Sequence, residues 1–346
     1  AEWLVPHFEK MLYDNAQLVE LMSAVWRKTR DPILERRTEE TIDWLFREMR
    51  LENGCFASAY DADSEGVEGK FYVWSETEID DLLGEDAPLF KQIYDVSELG
   101  NWENTNILNR RFTASLQDET IEEILSRCRQ TLLDARAQRI WPSFDDKVLA
   151  DWNGLTIQGL VTAGETFGRW DWIDAGKRAF ATLLEILEAD GTLKHAWRAD
   201  KAGQPATLED HAGLIDAAVA LYRATGDTGY LRHIDRWITR LNTHYGDREN
   251  GGYFTAADDT TDVIVRFKGA DDNATPSGNG LLALAAARLW HLTGESRWER
   301  LARNQLAAFG GKIAENPFTA PIFLEAAIAL EDTVSIILIG DTADPD

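Results

Sequence analysis

Cysteine is nearly absent from this chain of 346 residues: Cys55 and Cys128 are the only two, and neither stands in a CxxC pair. A disulfide scaffold and a cysteine-built zinc site are thereby excluded, and a reducing, cytoplasmic setting is expected. Positive charge is short as well. The 35 Lys and Arg face 60 Asp and Glu, and the net charge of −25 repels phosphate backbones and anionic bilayers. No nucleic acid and no membrane is therefore expected as a partner. No run approaches the roughly eighteen uncharged apolar residues of a membrane span, and no basic-then-apolar leader opens the chain. Also missing are a glycine-rich phosphate loop, a GxSxG elbow and an HExxH helix, which leaves nucleotide, serine-hydrolase and zinc-protease chemistry without support.

What is there is a repeat. Asp14-Asn-Ala-Gln-Leu18, Asp151-Trp-Asn-Gly-Leu155, Asp210-His-Ala-Gly-Leu214 and Ser277-Gly-Asn-Gly-Leu281 each place a capping residue four positions before a leucine. A break follows at Arg30-Asp31, Gly168, Gly226 and Gly294, and a second at Asn53-Gly54, Asp190-Gly191, Asn250-Gly251 and Asn316-Pro317. Landmarks that hold register in this way outline helix, turn, helix, loop. Within each unit the first helix is rich in small and apolar residues and the second carries more charge, so first helices are expected inside and second helices outside. Such hairpins form an open solenoid or close into a toroid, and periodicity does not decide between them. It does place the capping residues and the loops after Gly54, Gly191 and Gly251 on one rim.

Residues 54–111 depart from the unit. Phe56–Tyr60 and Lys70–Trp74 alternate like two strands joined by an acidic loop, short helices are predicted near Glu76–Leu83 and Pro88–Tyr94, and Ser115–Ala137 reads as a charged helix. Thr333–Gly340 reads as a strand with nothing after it to pair with.

Four motifs, Trp3–Leu18, Tyr60–Trp74, Asp145–Leu155 and Pro276–Asn279, resemble the spermatogenesis-associated protein 20 (YyaL-like) family. The resemblance implies an all-α fold, an (α/α)6 toroid with inner and outer helix layers and short β-hairpin insertions in the rim loops, similar to N-acylglucosamine 2-epimerases and six-hairpin glycosidases. It also implies truncation at both ends: residues 1–332 form a barrel incomplete at its N-terminus, 333–346 begin a C-terminal portion, and a thioredoxin-like partner domain lies outside this chain. The resemblance supplies a fold rather than a reaction.

Candidate residues come from the rim. Asp14, Asp151 and Asp210 serve either as N-caps or as acid/base groups, and their neighbours Asn153, Glu209, His211, Ser277 and Asn279 fall in the same helical entries, where helix N-termini favour anions or sugar hydroxyls. His7 stands among Glu9, Lys10 and Asp14. The loop acids Asp61, Asp63, Glu65 and Glu68 form either a solvated turn or acid/base pairs; they lack the final Glu of a calcium loop, and no metal or cofactor is expected. Asp145, Asp146 and Lys147 make either a salt-bridged cluster or a pair of acids held in different protonation states. Arg266 and Lys268 can orient an anionic ligand or pair with rim acids. Trp102 and Asn106 occupy another polar loop, and the aromatics Trp74, Trp102, Trp152, Trp197 and Tyr253 are either core or platforms for sugar rings.

The resulting expectation is a carbohydrate-active protein, a sugar-processing enzyme with its small-molecule substrate at the inner-helix N-terminal rim. An epimerase- or isomerase-like version uses His7 or His211 as a base. A glycosidase-like version uses two carboxylates from Asp63, Asp146, Asp151 and Asp210. The alternative is a non-catalytic module holding a ligand or polypeptide for the thioredoxin-like domain.

Overall fold

The computed structural model describes residues 4–188, 191–261 and 263–331. Twelve α-helices occur among them: α1 (Leu12–Thr29), α2 (Pro32–Trp44), α3 (Glu76–Leu83), α4 (Ala87–Tyr94), α5 (Glu119–Arg136), α6 (Ala150–Phe167), α7 (Trp170–Leu187), α8 (Leu208–Thr225), α9 (Gly229–His244), α10 (Gly278–Thr293), α11 (Ser296–Glu315) and α12 (Pro321–Glu331). The strand expected at 333–340, and the boundary placed before it, lie outside the described residues.

Inner and outer layers separate as the composition predicts. Neighbours run α1, α6, α8, α10, α12 around an arc, while α2, α7, α9 and α11 pack outside their own partners. α8 is buried continuously from Asp210 to Leu221, whereas α9 buries a stripe of Ile234, Trp237 and Leu241. Each of the first four inner helices ends in a left-handed residue, Arg30, Gly168, Gly226 or Gly294, which turns the chain into its outer partner. The fold is an (α/α)6-type toroid of helical hairpins, with five inner helices among the described residues. The fifth, α12, was not expected from the repeat.

Small residues set the inner spacing. A Cβ on Gly154 would lie 2.6 Å from the Gly213 carbonyl, so α6 and α8 meet backbone to backbone. Below the rim the hollow is filled by charge: Arg288 binds Asp216 at 2.8 Å and Glu325 at 3.1 Å, and Gln158 donates to Glu20 at 3.1 Å. These groups come from all five inner helices. Most lie about 12 Å along their helices from the N-terminal end, at 1.5 Å per residue.

Two expectations are corrected. Met11 and Leu149 occupy the N-caps of α1 and α6 without a side-chain bond, so Asp14 and Asp151 lie inside the first turn; Asp210 is the third residue of a capping box led by Thr207, and only Ser277 caps its helix. Ala59–Tyr60 pairs with Lys10–Met11 and Phe144–Asp145 rather than with 70–74, because those segments converge beside α1. Trp74 instead bridges Asn106 and joins a second core with α3, α4 and α5, built on Ile79, Phe90, Leu125 and Leu132. Beyond α2 the chain stays helical through a π-helical turn, Leu45–Met49.

Candidate functional site

The first turns of α6 and α8 and a three-strand ribbon meet at one point on the rim. The ribbon pairs Val148–Leu149 with Ala196–Arg198 and then Lys201–Ala202, and the Ala150 amide donates to the His195 carbonyl at 2.9 Å. His195 is thereby fixed over the start of α6. Its Nδ1 meets both oxygens of Asp210, at 2.9 and 3.0 Å.

Asp210 has no exposed surface. It accepts from the Thr207 amide at 2.7 Å, the Thr207 hydroxyl at 3.0 Å and the Asp151 amide at 3.3 Å. Every lone pair of this carboxylate is engaged within the protein, so it orients His195 and leaves Nε2 as the imidazole's remaining nitrogen. Asp151, His195 and Asp210 bring ligating atoms within 4.8 Å of one another, a donor set that a divalent cation can also use. The filled coordination of Asp210 favours the proton-sharing arrangement.

Electrostatics divides the labour. Burial, and then the charge of Asp210, pushes the Asp151 carboxyl up to about 7. The hydrogen bond that His195 donates to Asp210 raises the imidazole to about 9 against the opposing effect of burial, helped by the charges of Asp210 and Asp151. Asp151 is therefore poised near neutrality beside an imidazolium. Glu209, also raised by burial, shares a narrow crevice with Asp151, whose other walls are Leu155, Gly213, Thr275, Pro276 and Leu281. Larger concavities lie on the outside of the molecule, away from this chemistry.

Of the residues singled out in the sequence, the structure gathers Asp151, Asp210 and Glu209, with Lys147 close enough for its charge to act on His195. Lys147 itself pairs with Asp145 at 3.1 Å, and Asp146 pairs with Arg198 at 2.5 Å. His211 is buried on α8 with its Nδ1 2.7 Å from the Thr207 carbonyl oxygen and its ring against Tyr245, away from the crevice. His7 and Asp14 are exposed on the approach to and first turn of α1, with Glu9 half-buried between them. Lys10 donates to the Phe8 carbonyl at 2.9 Å, and burial holds its amine down to about 8.

Asp61, Asp63 and Glu68 are exposed on their loop, and Asp61 accepts from the Asp63 amide at 3.1 Å. Trp102 packs on Phe8, and Asn106 is buried with its amide tied to Ser97 and Trp74 backbone. Asn153 and Asn279 are internal clamps: each bonds both backbone groups of a residue in the loop that follows an outer helix, Phe56 and Tyr253 respectively. Lys268 pairs with Asp247 at 2.6 Å, and Arg266 donates to the His244 carbonyl at 3.1 Å.

His195 was missed. Its signal was position, in the loop after Gly191 that the repeat places on the rim, but a lone histidine in a ribbon carries no spacing motif.

No family model matches the chain. Spermatogenesis-associated protein 20 of Rattus norvegicus is 29% identical over 98% of this chain and 49% of that protein, and the Homo sapiens protein is 28% identical over the same shares. Among solved structures, cellobiose 2-epimerase from Spirochaeta thermophila gives a TM-score of 0.48 at 12% identity, covering 94% of this chain and 74% of that one. D-mannose isomerase gives 0.45 at 10% identity, covering 88% and 76%. The chain spans about half the length of the curated relatives it matches, and along nearly all of its own length it resembles the spermatogenesis-associated protein 20 family, as its motifs indicate.

Proposed function

We propose that the rim is the active site of a sugar-processing enzyme of the epimerase or isomerase kind, moving a proton next to a carbonyl. The observation that carries this reading is the clasp of His195 by a fully buried Asp210 beside Asp151. Asp151, with its proton affinity near neutrality, accepts the proton from the carbon adjacent to the carbonyl. His195, kept protonated by Asp210, donates to the carbonyl oxygen as negative charge develops there, giving an enediol. Return of a proton to carbon from Asp151, with the hydroxyl proton going back to His195, completes the turnover and balances both groups. A glycosidase pairing of Asp151 with Asp210 is disfavoured because Asp210 has no surface with which to meet a substrate.

A panel of aldoses, ketoses and disaccharides followed by NMR tests the assignment. His195→Gln and Asp151→Asn are each expected to lower turnover by about 10²–10⁴-fold. Conversion that survives both changes contradicts it. The narrowness of the crevice keeps a second reading, a binding module without turnover; that reading predicts sugar-dependent stabilisation and no product from any member of the panel.

A further inference from the structure

The crevice at Asp151 holds about 10 Å³ of free volume, room for a single water. A site for a small molecule takes about 300 Å³ or more. Most of the walls are fixed. Leu155, Gly213 and Leu281 belong to α6, α8 and α10, and Asp151 and Glu209 to the first turns of α6 and α8. These helices are packed on one another without slack: α6 meets α8 backbone to backbone at Gly154 and Gly213, and a Cβ on Gly278 of α10 would stand 2.7 Å from Leu208 of α8. The remaining wall is Thr275 and Pro276, in the loop that leads into α10.

That loop is pinned at its base. The Asp272 amide donates to the Thr319 carbonyl at 2.7 Å, and the Asp272 carboxylate accepts the Ser277 amide at 2.8 Å and the Ile322 amide at 2.9 Å. Between the pins lie residues 273–276, of which Asn273 and Ala274 are exposed. The bond from the Asn273 amide to the Thr275 carbonyl, at 3.1 Å, is internal and travels with the loop. Among the described residues, one hydrogen bond ties 273–276 to another element: the Gln17 side-chain amide of α1 donates to the Ala274 carbonyl at 2.9 Å. The base is thus fastened beside α12 and the tip to α1, the two ends of the arc of inner helices.

We propose that residues 273–276 are a strap closed over the crevice, with Gln17 as its latch, and that the strap swings outward to admit the sugar. The proposal rests on the reading of the rim as an active site. Opening withdraws Thr275 and Pro276 from the crevice at little cost, because the Gln17–Ala274 bond is exposed and water replaces it. The helical walls and the clasp of His195 by Asp210 stay in place throughout, so the strap controls access to a fixed catalytic pair.

Thiol labelling of the whole chain reads the strap without any substrate. Leu155→Cys places a thiol on the crevice wall at a position 7% exposed, against a background of Cys55 and Cys128 at 0% and 2%. With N-ethylmaleimide in excess and each site followed by mass spectrometry, the introduced thiol is expected to react about fivefold faster once Gln17→Ala is added, as loss of one hydrogen bond predicts. Leu281→Cys, on the α10 wall and 5% exposed, repeats the measurement from the other side. Cys55 is expected to react equally slowly with and without the latch. Equal rates at both introduced thiols overturn the strap, and so does a rise matched at Cys55, which marks loosening of the whole chain. Faster labelling without turnover of any sugar keeps the strap as the gate of a binding crevice and removes the catalytic reading; turnover with unchanged labelling does the reverse.

Discussion

At Asp151 burial and the negative charge of Asp210 act in the same direction, while His195 is drawn the other way by the same carboxylate. Two consequences can be measured. Turnover is expected to follow a bell, rising as Asp151 ionises near pH 7 and falling as His195 loses its proton near pH 9, the two values belonging to the coupled pair. A pH–rate profile flat from 6 to 9 would contradict this assignment. Stability follows the same linkage. Both groups hold protons more tightly folded than unfolded, so Asp151 contributes stability that is complete below its ordinary value of 3.8 and lost as pH rises through about 7. His195 contributes stability that is complete below 6.5 and lost as pH rises through about 9. Asp151→Asn should therefore raise the melting temperature at pH 8 while removing activity, a gain of about 1–2 kcal/mol; thermal unfolding of both proteins at pH 5 and pH 8 checks the sign.

At the scale of elements, the repeat is held in register by amides rather than by carboxylates. Asn153 ties α6 to the Phe56 backbone, and Asn279 ties α10 to the Tyr253 backbone in the same way. Removing either side chain strands one buried N–H and one buried C=O. Asn153→Ala is expected to cost about 2–4 kcal/mol in urea unfolding. A loss below about 0.5 kcal/mol would show that the loop holds without the clamp.

The hairpin landmarks were legible because a turn needs a left-handed residue and an inner helix needs small ones, requirements that write themselves into Gly168, Gly226, Gly294 and the alanine runs. The clamps were visible as recurring asparagines, yet their partners, fixed only when the loops fold back, were not. His195 escaped for the same reason: its meaning comes from Asp210, fifteen residues along the chain, and from a ribbon that no helical period reveals. His211 attracted the catalytic role by lying next to Asp210, but neighbouring residues on a helix point in different directions.

For the molecule as a whole, the arc has an inner ionic layer and two apolar flanks. Leu18, Leu21 and Val25 on α1 are 50%, 58% and 39% exposed, and Leu324 and Ile328 on α12 are 39% and 60% exposed. Because Leu21 buries little here, Leu21→Gln should change the stability of this chain by less than about 0.5 kcal/mol. Arg288, which pairs with Asp216 and Glu325, has the opposite standing: Arg288→Met leaves the buried Asp216 carboxylate unpaired and is expected to cost about 3–5 kcal/mol. Equilibrium unfolding of the two variants side by side distinguishes surface from keystone.

The central claim, proton transfer at carbon between Asp151 and a sugar held by His195, is tested most directly in deuterated water. With a reducing sugar from the panel, the wild type should exchange the hydrogen next to the carbonyl for deuterium, seen by NMR, and Asp151→Asn should not. Product formed without deuterium at that carbon, or exchange undiminished in Asp151→Asn, would contradict the account.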